Sequence, residues 1–471
     1  MRAKNLLISL GALTAVGLWI NWDIVETSAR DSIATAAGKA AVANLSGVVA
    51  GNNTRGLAAA ELITLPVEVD EVSHGIFRAS GVSNTFVIVT SAGNVVFDTG
   101  LIIQASEQIR KLKDAVSDNE PAKIILSHSH ADHVGGTRLW SQGATQLIAH
   151  KAFEEEQRYL TELNPYLHRR NRTLFPWIPE NPSTLPGLNF RGLTPDVRVD
   201  NDAPYRFILG ERRFEVHGMP GAEGADNVVL WLPDEKVLLA GDFFGPQFPQ
   251  FPNIFTMRGE KTRKPIEYID SINRLLKMDI QTLLPSHLEP VRGAALIRDG
   301  MLRIRDAVQF VHDRTVAGMN AGQSLDALMT DINLPEHLLL SQSHGKVSWA
   351  VKSIWEYYTT WFHFDRTSEL YATPQSAVLD DLAGVIDIEA ALALIQRKLD
   401  STDPEQALLL LELLEGADPL QQLLGLRLQA LEQLKARAAI TGNDYERYWL
   451  ESELEKYSAF YENQSEHPHV D

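Results

Sequence analysis

Between about residues 65 and 295 the chain alternates short apolar runs with turn signals. Phe86–Thr90 and Val95–Asp98 flank Ala92-Gly93-Asn94, which predicts a β-hairpin. A helical stretch over Gln104–Val116 leads into the compact apolar run Lys123–Leu126, a buried strand. Phe207–Val216, Val228–Trp231 and Val237–Ala240 predict further strands, with a turn over Leu232-Pro233-Asp234-Glu235. Strands interspersed with helices imply a layered α/β architecture.

After about Leu296 the strand signals stop. Ala307, Val308, Phe310 and Val311 open a helical pattern that continues towards the end of the chain. Asp403-Pro404 marks a helix start, because Asp caps well and Pro is tolerated at the first helical position. Ala407–Leu414 and Leu420–Leu434 then read as packed helices without a strict repeat.

The N-terminus is of another kind. Arg2 and Lys4 precede an apolar run from Leu6 to Ile20. A helix over that run spans about 22 Å, short of the roughly 30 Å of a bilayer's hydrocarbon. A basic start and a short apolar core fit a secretory signal, with small residues at Thr27-Ser28-Ala29 and at Ala34-Thr35-Ala36. The alternative is an uncleaved anchor extended by Asn21 and Trp22. Either version exports the remainder, to the periplasm or the medium, or holds it at the membrane. The expected organisation is a signal or anchor at 1–29, a leader rich in small residues at 30–62, an α/β unit at 63–295 and a helical unit at 296–471.

Composition narrows the chemistry. Of 471 residues 44% are hydrophobic and 22% charged, ordinary values for globular domains. The net charge of −18 argues against nucleic acid as a partner, since phosphate binding needs clustered cations. The chain has no cysteine, which excludes disulfides, thiolate zinc sites, iron–sulfur clusters and cysteine nucleophiles. Any metal must be held by histidine and carboxylate.

The segment Ile124-Ile125-Leu126-Ser127-His128-Ser129-His130-Ala131-Asp132-His133 ends a strand and sets three histidines and an aspartate within six positions. His128 and His130, two apart on an extended turn, face the same way and can reach one ion. Asp132 and His133 begin a helix or turn and point to a second. Imidazole and carboxylate are suitable zinc ligands. Three later strand ends or turns present Glu223 (after Pro220-Gly221), Asp242 (after Gly241) and His287 (after Ser286).

Together these stretches resemble the metallo-β-lactamase superfamily. Asp98 in Val96-Phe97-Asp98-Thr99-Gly100 matches the aspartate that underpins its metal site. Glu223, where most members carry histidine, is similar to the alkyl sulfatase branch, as is Ile254-Phe255-Thr256-Met257-Arg258-Gly259. Val311–Thr315, Leu334-Pro335 and Val347–Lys352, followed by Tyr358 and Trp361-Phe362, resemble that branch's dimerisation domain. The resemblance implies an αββα sandwich followed by an all-helical domain, a homodimer, and two zinc ions per chain. One ion would take His128, His130 and Glu223; the other Asp132, His133 and His287, with Asp242 bridging. Aspartate stands at 242 where the branch usually has glutamate. Pro249–Asn253 and Trp349 stand where the branch has histidines.

Two zinc ions sharing a water permit hydrolysis without a protein nucleophile. Asp132 is expected to orient the site, Arg258 to bind a sulfate or similar oxyanion, and Tyr358, with Lys352, to assist. Trp355, Trp361 and Phe362 are candidates to receive an alkyl tail, His150 to support a ligand, and Arg169, Arg170 and Arg172 to lie near the site mouth or a dimer contact. The leading expectation is an alkyl-sulfatase-like sulfuric ester hydrolase acting on a small molecule. Its rivals are hydrolysis of a thioester, lactone, lactam or phosphoester, and a non-catalytic exported zinc-binding dimer.

Overall fold

The structure, a computed structural model, describes residues 66–466 except 117–119, 142, 176–177, 179–191, 255–256, 258, 260, 262, 365 and 415–419. The expected signal and the whole of the expected leader lie outside the described residues. The chain divides into two compact units. The first takes in the described residues up to Arg172, with Trp177–Pro249 and Ile266–Arg305; the second comprises Thr173–Pro176, Gln250–Pro265 and Asp306–Asp471.

The first unit is built on two sheets. One runs in order β1 (Val69–Ser73), β2 (Ile76–Ala79), β3 (Thr85–Ile88), β4 (Val95–Phe97), β5 (Lys123–Ile125), β6 (Gln146–His150) and β7 (Val197–Val199). Its first four strands are antiparallel neighbours, and β4 to β7 are parallel. The other runs β13 (Val291–Arg292), β12 (Thr282–Pro285), β11 (Val237–Gly241), β10 (Val228–Leu232), β9 (Arg212–Gly218) and β8 (Tyr205–Leu209). Only β11 and β12 are parallel in that sheet.

Side-chain alternation along each strand separates the two faces of a sheet. Ile88, Val95, Phe97, Ile125 and Ile148 from the first sheet pack against Phe214, Val216, Leu230, Leu239 and Leu284 from the second, forming the central core. On the outer face of the first sheet, Val87, Val96, Ile124 and Ala149 meet Ala105, Ile109 and Leu112 of the helix Ile102–Ala115. Val229, Trp231, Leu238 and Leu283 of the second sheet are buried as well. The helix Pro265–Leu275 lies against that sheet's end: Arg274 donates to the Gly218 carbonyl at 2.7 Å, and the Tyr268 ring meets Phe243 at 5.1 Å. The expected αββα sandwich is the architecture found.

The hairpin around Gly93 and the strands at 123, 228 and 237 form as the pattern predicts. Phe207–Val216, expected as one strand, is instead the β8–β9 hairpin, with Leu209 paired to Arg212 and Gly210 at φ +58. The apolar alternation runs through a two-residue turn, so periodicity alone could not reveal the reversal. Glycine adopts that left-handed conformation without steric penalty.

The second unit is helical, as expected. Ile395, Leu399, Ala407, Leu411 and Leu423 join the helices Ile388–Asp400, Pro404–Leu413 and Leu420–Thr441. Leu431, Leu434, Leu450 and Leu454 join the last of these to Asp444–Glu466. Asp403 caps its helix by accepting from the Gln406 amide, with Pro404 at the first position. No helix of the described residues is long and apolar enough to cross a membrane.

Phe214 is 1% exposed in the inter-sheet core and stacks on Phe207 at 4.7 Å. Phe214→Ala is expected to lower stability by about 3–5 kcal/mol in denaturant unfolding.

Candidate metal centre

The chemistry-bearing residues collect where strands end. Asp98 follows β4, Ser127-His128 follows β5, Asp242 follows β11 and Ser286-His287 follows β12. In open α/β sheets this carboxyl end is where ligands bind. Backbone bonds stitch these ends together: Val228 N donates to the Ser127 carbonyl at 2.8 Å, and Ser286 N to that of Gly241 at 3.2 Å. Gly241 sits at φ +58, and a Cβ there would lie 2.5 Å from the Ser127 Cβ, so both conformation and space demand glycine.

The chain after His130 turns into the short helix Ala131–Val134. Gly135 and Gly136 let it press on the strand end before it. A Cβ on Gly135 would meet the Gly100 carbonyl at 2.4 Å, and one on Gly136 that of Thr99 at 2.4 Å. Thr99 N and Oγ1 both donate to the His133 carbonyl, at 2.7 and 3.0 Å.

Asp98 is fully buried and accepts four hydrogen bonds. Its Oδ1 accepts from Ser127 N at 2.7 Å, and its Oδ2 from Ser127 Oγ at 2.8 Å, Ser286 Oγ at 2.8 Å and His133 Nδ1 at 2.9 Å. With its proton committed to Asp98, the Ser127 hydroxyl accepts from His128 Nδ1 at 3.0 Å. In both rings Nδ1 is thus the hydrogen-bonded nitrogen, leaving Nε2 to coordinate.

The Nε2 atoms of His128 and His133 are buried and have no hydrogen-bond partner. Two sets of donor atoms converge on this spot: His128, His133 and Asp242, and Asp132, His133 and His287, each set lying within 4.8 Å of one another. His133 Nε2 is 3.3 Å from both Asp132 Oδ2 and Asp242 Oδ2. His287 Nε2 is 3.2 Å from Asp242 Oδ1 and 3.6 Å from Asp132 Oδ2. The His130 ring lies 4.3 Å from that of His128. Glu223 is buried on a turn whose Gly224 would place a Cβ 3.5 Å from the His128 Cβ. Orphaned ring nitrogens beside buried carboxylates, with no sulfur donor, fit divalent ions of the zinc type.

The electrostatics agree. Burial pushes His128 well below the usual histidine pKa, and the His133 and His130 rings push the same way, so it is a neutral, available ligand. Burial also disfavours charge on His133 and His287, but the surrounding carboxylates win. Asp132, Asp242 and Asp98 hold His133 well above its ordinary value, and Asp242 and Asp132 raise His287 to about 9. Burial would raise Asp242 and Asp132, yet the His287 and His133 rings hold both below the usual carboxylate range. Metal-free, the second donor set is a knot of imidazolium and carboxylate.

Other expected residues lie elsewhere or outside the described residues. Arg258 is among the latter. Tyr358 belongs to the second unit; it is 45% exposed on the helix Val347–Thr359 and bonded to His312 Nε2 at 2.8 Å. Lys352 is exposed on the same helix. His150 bonds Asn201 Oδ1 at 2.8 Å through Nε2 and accepts from Ala152 N at 3.1 Å, so both ring nitrogens are used locally.

The sequence reading missed three contributors. Ser127 and Ser286 each precede a candidate ligand, and the repeated Ser-His pair at strand ends was the signal. Asp226, 1% exposed, interacts electrostatically with Glu156 and His130. Burial, with Glu156 adding to it, raises its pKa to about 7.

Residues 79–287 match the family model of the metallo-beta-lactamase superfamily. Among curated proteins the chain is similar to a linear primary-alkylsulfatase of Pseudomonas sp. (strain ATCC 19151), 28% identical over 304 residues, 58% of this chain and 55% of that protein. It is also similar to the alkyl/aryl-sulfatase BDS1 of Saccharomyces cerevisiae, 23% identical over 61% of this chain and 49% of that protein. The chain therefore spans about half the length of these relatives. Among solved structures, the stereoselective inverting sec-alkylsulfatase Pisa1 from Pseudomonas sp. shares the fold, with a TM-score of 0.71 and 21% identity over 83% of this chain and 65% of that one.

A group whose pKa is raised on folding stabilises the fold below its unfolded value and loses that contribution as pH climbs through the folded one. His287, raised from 6.5 to about 9, sets the window. The melting temperature of the metal-stripped protein is expected to fall between about pH 6.5 and 9, while that of zinc-loaded protein holds over the same range.

Proposed function

From residues 79–287, which make this chain a member of the metallo-β-lactamase superfamily, we propose a dinuclear zinc hydrolase of alkyl sulfatase type acting on small-molecule sulfuric esters. The observation that carries the reading is the convergence of the buried Nε2 atoms of His128 and His133 with the carboxylates of Asp132 and Asp242. A pair of divalent ions would supply Lewis acidity and an acidified water.

The chain's own residues do the holding and orienting. His128, His130 and Glu223 would hold one ion, and Asp132, His133 and His287 the other, with Asp242 as the carboxylate shared between them. Asp98 and the two serines fix the rings against rotation. Asp132, beside His133 and His287, keeps its negative charge at neutral pH and aligns the reacting water. Arg258 binds the ester's sulfate group in bidentate fashion. The alkyl sulfatases among the relatives support this substrate class.

A second reading, hydrolysis of another ester, thioester, lactone or lactam, is favoured by a different observation. Phe251 is fully buried, and Trp349 packs with Leu174, Tyr445 and Tyr448. These positions supply no imidazole to protonate a leaving oxygen, which within this group suits a thioester best, since a thiolate leaves without a proton. Residues 1–29 direct export to the periplasm or hold the protein at the membrane. The helical unit forms a homodimer, supported by its exposed aromatic residues Trp361, Phe364 and Tyr371.

Wild-type protein is expected to bind about two zinc ions per chain, with His128→Ala and Asp132→Ala each dropping to about one by elemental analysis. Zinc-loaded protein should release sulfate from dodecyl sulfate, and Arg258→Ala should raise KM more than it lowers kcat. Turnover confined to an ester, thioester or lactam panel would establish the second reading. No turnover by fully loaded protein would leave a binding protein.

A further inference from the structure

Between β2 and β3 lies a tripeptide, Val82-Ser83-Asn84, that holds no candidate ligand yet touches two of the loops that do. The His287 Nδ1 donates to the Val82 carbonyl at 2.5 Å. The Ser83 hydroxyl donates to the backbone carbonyl of Asp132. Asn84 brackets His287: its backbone N donates to the Ser286 carbonyl at 2.6 Å, and its side-chain amide to those of Pro285 and Leu288 at 3.1 and 3.0 Å. Leu288 stands at φ +59, a left-handed conformation unfavourable for leucine, so the turn after His287 needs an external hold.

The tripeptide is itself fixed. Val82 N donates to Gln104 Oε1 at 2.7 Å, and Gln108 Nε2 donates to the Ser83 carbonyl at 2.9 Å. Both glutamines come from the helix Ile102–Ala115 and are buried, as are Ser83 and Asn84. Within a packed interior a buried amide that donates twice to fixed carbonyls has little freedom to move.

We propose that Val82-Ser83-Asn84 are positioning residues for the second ion, setting the spacing of Asp132 and His287 and the ring orientation of His287. The inference rests on the two-ion reading above. Each bond the tripeptide makes towards the site falls on Asp132, His287 or their neighbours, so the effect is selective: loosening the tripeptide weakens the Asp132–His133–His287 position and spares the one formed with His128. Partners of this outer kind typically alter metal affinity by about 10–100-fold.

The experiment titrates full-length wild type, Asn84→Ala, Ser83→Ala and Ser83→Thr with zinc against a chromophoric chelator, with melting of the metal-stripped proteins measured alongside. Wild type is expected to bind two ions. Asn84→Ala and Ser83→Ala should keep one at wild-type affinity and bind the other about 10–100-fold more weakly. Ser83→Thr, which retains the hydroxyl, should restore both. Ser83→Ala removes one hydroxyl, so it keeps the question open to measurement if Asn84→Ala does not fold. Both ions held at wild-type affinity in the two alanine variants, or both weakened equally in step with melting temperature, would overturn the proposal. A wild type that binds fewer than two ions would overturn the two-ion reading itself.

Discussion

One buried carboxylate organises this protein's chemistry. Asp98 receives bonds from the loop after β5, from the helix that carries His133 and from the loop after β12. The two sheets meet at this side chain. An isolated carboxylate in so dry a place would cost several kcal/mol, and four donors offset that cost. Asp98 also adopts φ +54, where aspartate is among the few residues tolerated. The backbone strain and the hydrogen bonds belong to one arrangement: in this conformation the carboxylate meets donors from both sheets.

The fold supplies the donor atoms economically. Parallel neighbours β4 and β5, and again β11 and β12, bring two strand ends side by side, about 4.8 Å apart. Each end contributes one or two functional side chains to the same edge of the sandwich. Glycines at 135, 136 and 241 remove the Cβ atoms that would force those ends apart. Packing and function are therefore not separable here: the close approach that buries the strand ends is what brings the imidazoles and carboxylates within reach of one another.

Much of this was legible from residues alone. His128 to His133 declare themselves by density, and Gly241-Asp242 and Ser286-His287 by following apolar runs of strand length. The hairpin at Gly93 and the capped helix at Asp403-Pro404 follow from local rules that tertiary contacts did not override. Local pattern failed where its signal was continuous across a reversal, at Gly210. It failed differently at Ser83, Asn84 and Asp226. Those side chains act through partners far along the chain, Asn84 through carbonyls some 200 positions away, and polar residues in a loop read as solvent-facing until the partners are known. The serines at 127 and 286 were visible but silent, because a hydroxyl before a histidine has a role only once a buried acceptor such as Asp98 is placed.

The Ser127 hydroxyl lies between Asp98, 2.8 Å away, and the Nδ1 atoms of His128 and His133, at 3.0 and 3.5 Å. It links the two imidazoles through a single oxygen. A cation on either imidazole would polarise that hydroxyl and so change the basicity of the other ring. Binding at one ring would thereby bias binding at the other, and thermodynamic reciprocity would make the bias equal in either order.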